Sequence, residues 1–175
     1  MKMPIQALSP DFLIAELHAR GLFYLLGSYP ALPKRQLKDH QLLAQLASQQ
    51  DARLRSALIP LFLHQPHFAN ALSDALILLS GKHEKTLKIY YTAAFLLQEE
   101  YQDQLATLIP GWRPLPDYFS KELDVGEQGA INFRLRQLGT FHTQLTGLRA
   151  NWVGTYRQAA AHLIRRLNSE ARWAA

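Results

Sequence analysis

The arginines that follow residue 125 are the residues of this sequence whose type and position best suggest a binding role. Residues 126–175 hold seven arginines and two glutamates, a net charge of +5, whereas residues 1–125 hold twelve basic and twelve acidic side chains. Arginine presents five donors in a planar fork that matches carboxylate or phosphate. The sequence therefore predicts a partner- or anion-binding surface among Arg134, Arg136, Arg149, Arg157, Arg165 and Arg172.

Three of these arginines are predicted to share one flank of the last helix. With Ala160 at the centre of its apolar seam, steps of 100° per residue place Arg157, Arg165 and Arg172 roughly 60° to 140° away from that centre. Such a flank can bind an acidic protein or nucleic-acid phosphates. No aromatic residues are interleaved to stack on bases. A protein partner is therefore favoured over nucleic acid, which remains an alternative.

No pattern typical of catalysis or metal binding is found. The seven histidines never occur at i, i+4 on one predicted helix, and Pro66 separates His64 from His67. The chain has no cysteine, no Gly-x-Ser-x-Gly motif and no glycine-rich phosphate loop. The sequence thus predicts no catalytic residue, no metal and no cofactor, and an enzyme is not the favoured interpretation.

Tyrosines at helical spacing support a third interpretation, from a different class of function. Bundles of helices place small ligands in apolar cavities between the helices. A small-ligand binder with such a pocket would use Tyr90, Tyr91, Tyr101 and Tyr156.

The elements that would position these residues are helices throughout. Apolar residues recur at steps of three and four along the chain, and no alternating strand pattern or Asn-Gly hairpin signal occurs. The sequence predicts one all-α domain over residues 1–175, a bundle of six or seven helices. Ser9, Asp51 and Asn151 are predicted N-caps. The predicted helices span about 10–26, 36–47, 52–63, 66–79, 82–108, 127–148 and 152–172, with a short additional helix over 117–123 and a loop over 29–33.

Proline and glycine predict where these helices bend, end or meet. Pro60 is expected to kink the third helix, and Gly81 is expected to stop the fourth. Gly139, Thr143 and Gly147, at i, i+4 and i+8, predict a small-residue groove that another helix approaches closely. Residues 111–116 are expected to form an extended connection that Trp112 fixes.

The two longest seams predict a further contact. Residues 82–108 and 152–172 each repeat apolar residues in steps of three and four, and the first seam is interrupted only by Gln98. Such seams can bury against a second helix. A homodimer is therefore predicted beside a protein partner. No membrane span or signal segment is indicated, so a cytoplasmic location is expected.

One part of the sequence resembles a known architecture. Residues 51–63, which include Pro60, followed by residues 66–79, resemble a single HEAT-type helix pair, so the first half of the bundle is expected to be HEAT-like. Together with residues 88–98, this part also resembles segments of uncharacterised bacterial all-helical proteins. The resemblance implies a helical fold and brings no catalytic residue.

A neutral helical body over 1–125 and an arginine-rich pair of helices over 126–175 lead to one favoured hypothesis. The chain is predicted to be a non-enzymatic protein-interaction or regulatory protein. Nucleic-acid association through the arginine flank and small-ligand binding between helices are the alternatives.

Overall fold

The computed structural model describes residues 5–23 and 36–175, and all regular structure in those ranges is helical. This confirms the all-α prediction. If helices that are separated by at most one residue are counted together, these ranges contain six helical units. The helices are α1 (Pro10–Ala19), α2 (Asp39–Ser48), α3 (Ala52–Ser56), α4 (Leu58–His64), a 3₁₀ helix (Pro66–Ala71), α5 (Leu72–Leu78), α6 (Gly81–Leu108), α7 (Ile131–Thr146) and α8 (Trp152–Ala174).

The three predicted N-caps are confirmed. A side-chain oxygen of Ser9, Asp51 and Asn151 accepts a main-chain N–H of the first turn at 3.3, 2.8 and 2.9 Å, respectively. Each cap satisfies one of the donors that a helix leaves unpaired at its start. Local sequence therefore determines where α1, α3 and α8 begin.

Helix α6 lies at the centre of the bundle and packs against α2, α4, α7 and α8. The buried apolar side chains form one continuous cluster from Leu13 to Leu167. The seams of α6 and α8 are part of this cluster, with Leu87, Ala94, Leu105 and Ala160 each fully buried. The apolar seams of α6 and α8 therefore pack against other helices of the same chain and do not support a homodimer. The homodimer stays a prediction.

The break between α3 and α4 falls at Ala57, not at the predicted Pro60. Pro60 is the third residue of α4, in the first turn, where a missing N–H costs no intrahelical bond. The expected stop at Gly81 is also wrong, since α5 ends at Leu78 and Gly81 begins α6. The HEAT-type resemblance of this region stays a prediction.

The predicted first helix is shorter than expected. Helix α1 ends at Ala19, and Gly21 follows with a φ of +77°, a left-handed conformation that glycine adopts without strain. The predicted continuation is wrong over residues 20–23, which are not helical, and residues 24–26 and the predicted loop over 29–33 lie outside the described residues.

The predicted helix over 117–123 is wrong, because these residues form consecutive turns. Asp124 has a φ of +55°, and Asp117 Oδ1 accepts the N–H of Ser120 at 3.1 Å, as in a turn. The helix predicted to begin at Glu127 instead begins at Ile131, since Gly129 has a φ of +120°. Residues 109–130, called the anchored segment below, are thus irregular.

Buried polar side chains bind the main chain of the anchored segment. Gln98 Nε2 donates to Leu115 O at 2.9 Å, and Leu115 N donates to Gln98 Oε1 at 2.6 Å. Tyr91 Oη donates to Pro116 O at 2.8 Å. The interruption of the α6 seam at Gln98 therefore has a structural cause: this side chain satisfies a loop that has no helix bonds of its own.

Helices α7 and α8 cross closely, which accounts for the small side chains at two positions of the predicted small-residue groove. A Cβ added at Gly139 would lie 3.4 Å from Trp152 Cβ, so α8 approaches α7 closely there, as predicted. Thr143 Oγ1 accepts the indole N–H of Trp152 at 3.1 Å. Gly147 has another role: it ends α7 with a φ of +70° and donates to Thr143 O at 2.8 Å.

Within residues 5–23 and 36–175, no helix is both long and apolar enough to cross a membrane.

Candidate functional site

The six predicted arginines fall into two groups, and Arg134 belongs to the group with structural partners. Its side chain is 9% exposed, and Nε donates to Gly126 O at 2.6 Å. The guanidinium lies 3.8 Å from the Asp117 carboxylate and 5.8 Å from the ring centre of Phe95. Arg134 therefore holds the anchored segment against α7 and is not accessible to a partner.

Arg157 also has partners within the chain. Its guanidinium donates to Glu100 at 2.5 Å and to Asn132 at 2.6 Å, which joins α8 to both α6 and α7. The hydrogen bond and the charge of Glu100 raise the pKa of Arg157. Arg157 and Glu100 neutralise each other, so this arginine adds little free charge to the surface of α8.

Arg136, Arg149, Arg165 and Arg172 are exposed and form no hydrogen bond or ion pair with the part of the chain that the structure describes. They do not form a single cluster. Arg136 lies on the first half of α7 and Arg149 in the connection between α7 and α8, whereas Arg165 and Arg172 lie on the second half of α8. Only the second pair is aligned, about 10 Å apart along one face at 1.5 Å per residue.

The end of α8 carries a feature that the sequence analysis missed. Leu167 is the last buried residue of α8, and residues 169–175 are exposed on every side of the helix. Trp173 lies in this stretch with 89% of its surface exposed. We use the name α8 row for Gln158, Arg165 and Arg172, which are spaced seven residues apart on one face, together with Trp173, which lies next to Arg172 about 100° around the helix. The sequence could have indicated this exposure, because Trp173 falls outside the apolar seam of α8.

The neighbouring Arg166 is not part of this row. Its guanidinium lies 3.9 Å from the ring centre of Phe23, donates to Phe23 O at 3.0 Å and pairs with Glu170 at 2.6 Å. Arg166 therefore attaches the residues that follow α1 to α8, whereas Arg165 and Arg172 are the arginines of α8 that have no hydrogen bond or ion pair within the described residues.

The four tyrosines of the predicted pocket are core residues, with Tyr90, Tyr91 and Tyr156 fully buried and Tyr101 partly buried. Tyr91 packs edge-on to the ring of Phe62 at 4.9 Å. Burial raises the pKa values of Tyr90, Tyr91 and Tyr156. Tyr91 Oη donates to Pro116 O and Tyr156 Oη is hydrogen-bonded to His142 Nδ1, so these two hydroxyl groups have partners on different elements.

His142 lies at the centre of an aromatic cluster between α6, α7 and α8. Its Nδ1 is hydrogen-bonded to Tyr156 Oη at 2.7 Å, its ring stacks on Trp152 at 3.6 Å, and Tyr90 meets it edge-on at 5.5 Å. Burial, together with the positive charge of Arg55, lowers the pKa of His142 to about 4. His142 is therefore neutral near pH 7 and belongs to the core.

Among the described residues, no group of three or more histidines, aspartates or glutamates is placed to hold a metal ion.

An open groove of about 470 Å³ lies between the 3₁₀ helix and the anchored segment. We call it the Trp112 groove. The sequence analysis assigned these residues only to a connection that Trp112 fixes, which is confirmed, since Trp112 Nε1 donates to Leu63 O at 2.9 Å. Its charged and aromatic lining consists of His64, His67, Trp112, Arg113 and Tyr118.

No family model matches the chain, and neither the curated proteins nor the solved structures include a significant match.

Proposed function

We propose that this chain is a non-enzymatic protein-interaction protein that binds an acidic partner through the α8 row. The observation that carries the proposal is Trp173, which is 89% exposed on a part of α8 that lies beyond the last core contact. Tryptophan and arginine are the residue types that most often dominate the energy of protein interfaces.

The charge of the row favours an acidic partner. Arg165 and Arg172 are exposed and unpaired within the described chain, whereas Arg134 and Arg157 are occupied by Asp117 and Glu100. Charge of this kind steers an oppositely charged surface into contact and sets the salt dependence of binding. A partner that presents carboxylates around an apolar pocket would fit the row.

Affinity capture from the source cells tests this proposal. The bait is the full chain, compared with a variant that carries Arg165→Glu, Arg172→Glu and Trp173→Ala. The matched control carries Arg136→Glu and Arg149→Glu, which reverses two exposed arginines on α7 and in the connection between α7 and α8. We expect an acidic protein that the wild type and the control capture and that the α8-row variant loses.

The captured protein is then made pure, and its affinity is measured at two salt concentrations. Binding that weakens at least tenfold in the α8-row variant supports the proposal. Equal capture by all three baits contradicts it. Capture that disappears after nuclease treatment, with affinity for DNA or RNA that falls steeply above roughly 50 mM salt, would favour the nucleic-acid alternative instead.

A further inference from the structure

The Trp112 groove is a second candidate site, separate from the α8 row. We propose that it binds a small planar anion, an aromatic or heteroaromatic ring that carries a carboxylate or a phosphate group. At about 470 Å³ it falls within the roughly 300–1,000 Å³ typical of small-molecule pockets.

The charge of the lining specifies an anion. Arg113 is exposed and has no hydrogen bond or ion pair within residues 5–23 and 36–175. His64 and His67 line the same groove, and no aspartate or glutamate does. An arginine without a carboxylate partner matches a planar carboxylate or a phosphate with two parallel hydrogen bonds.

Two carboxylates have partners at or near the lining, and neither partner is Arg113. Asp117 lies between two lining residues, but its Oδ1 accepts the N–H of Ser120 at 3.1 Å and its Oδ2 lies 3.8 Å from Arg134. Asp39 on α2 lies 3.7 Å from His67 Nε2. Neither acid neutralises Arg113, so this arginine keeps its positive charge in the groove.

The aromatic walls of the groove specify a ring. The indole of Trp112 is fixed by its hydrogen bond to Leu63 O at 2.9 Å. Tyr118 stacks on the buried Tyr91 with ring centres 5.7 Å apart and planes at 21°, yet it stays 55% exposed. Both rings are therefore held before a ligand arrives, which reduces the entropy lost on binding.

The anchors of the loop support a preformed site. Gln98 binds both main-chain groups of Leu115, and Tyr91 binds Pro116 O, between the two aromatic walls. A site whose backbone is held by buried side chains keeps its geometry without the ligand.

Titration of the ¹⁵N-labelled full chain tests the proposal. The probes are adenosine 5′-monophosphate and indole-3-acetate. Each has a heteroaromatic ring; the first carries a phosphate group and the second a carboxylate. Adenosine is the uncharged control. The chain has three tryptophans, and Trp112→Phe assigns the indole N–H signal of Trp112. We expect a saturable shift of the Trp112 signal with at least one anion, while the Trp173 signal stays unchanged.

Variants connect the signal to the named residues. Arg113→Gln is expected to weaken binding of the responding anion about tenfold, since it removes a charge-assisted hydrogen bond. Tyr118→Leu is expected to weaken binding at least about fivefold through lost stacking. Arg149→Gln, an exposed arginine outside the groove, is the matched control and should bind as the wild type does. Circular dichroism verifies that each variant is folded.

Three outcomes would overturn the proposal. The first is no saturable shift of the Trp112 signal with either anion up to about 5 mM, a limit that corresponds to negligible affinity. The second is measurable binding of adenosine that is as tight as the binding of its monophosphate. The third is a shift of the Trp173 signal alone, which would place the anion on α8. A response to only one anion identifies the ligand as a phosphate or a carboxylate and supports the proposal.

Discussion

Gln98 on α6 binds Leu115 through both main-chain groups of the leucine, one hydrogen bond in each direction, at 2.9 and 2.6 Å. Both residues are buried, so water cannot replace either bond. Gln98 thus supplies the main-chain hydrogen bonds that Leu115 would otherwise form within a helix or with a neighbouring strand.

Replacing Gln98 with leucine should therefore destabilise the protein although it completes the apolar seam of α6. Leu115 N and O would both lose their partner, at about 1–3 kcal/mol each. We expect the free energy of unfolding to fall by about 2–4 kcal/mol, measured by urea denaturation. Gln104→Ala, at an exposed position of the same helix, is the control and should change it by less than about 0.5 kcal/mol. Equal midpoints for the two variants would contradict this account.

Tyr156→Phe should destabilise the aromatic cluster by about 1–3 kcal/mol, because His142 Nδ1 loses its partner in the core. The double variant Tyr156→Phe, His142→Phe should recover part of that loss, since no unpaired polar atom remains. A double-mutant cycle of unfolding free energies measures the coupling. Additive effects of the two substitutions would show that the hydrogen bond contributes nothing to stability.

The stability of the protein should fall with acidification between about pH 6.5 and pH 4. Burial, with the charge of Arg55, lowers the pKa of His142 to about 4, below the value near 6.5 of an unfolded histidine. Between these values the unfolded chain binds the extra proton, so the stability present above pH 6.5 is lost as the pH falls. The shift corresponds to about 3 kcal/mol.

Thermal denaturation across this range measures the effect. The double variant His142→Phe, Tyr156→Phe removes this histidine and should show a shallower dependence. Stability should still fall somewhat as the pH is lowered in this double variant, because burial also lowers the pKa of His64. An unchanged slope would mean that other groups cause the acid sensitivity.

Replacing an arginine that has partners within the chain should destabilise the protein more than replacing an exposed arginine that has none. Arg134→Met removes the donor to Gly126 O and the partner of Asp117, and should cost about 2 kcal/mol or more. Arg165→Met removes an exposed cation and should stay within about 0.5 kcal/mol. Urea unfolding of both variants checks this difference. Equal costs would remove the distinction between structural and surface arginines on which the proposed interface depends.

The sequence predicts those parts of the fold whose causes are local. The caps at Ser9, Asp51 and Asn151 are correct because each depends on one side chain and the three residues that follow. The long helices α6 and α8 are correct because their apolar period persists over many turns. The break near Pro60 is misplaced because the cost of a proline depends on which turn it occupies.

The candidate sites could be predicted only in part, because they depend on contacts between distant residues. Arg134 and Arg165 have the same side chain, and only the folding of residues 117–126 over α7 buries the first. The Trp112 groove joins residues 64–70 to residues 109–118, which no periodicity links. The helix expected over 117–123 fails for the same reason, since the partners of this segment lie on other helices.

The anchors of the segment that forms the groove bind carbonyl and amide groups, which every residue carries. Arg113 and Tyr118 can therefore be exchanged for other side chains without moving the backbone that Gln98 and Tyr91 hold. Under the proposed binding of an anion, ligand preference and scaffold stability are encoded by separate sets of positions. In a set of related sequences, residues 113 and 118 should vary together with the ligand, while residues 91 and 98 stay constant. The same division makes this loop a practical starting point for engineering new specificities on an unchanged helical frame.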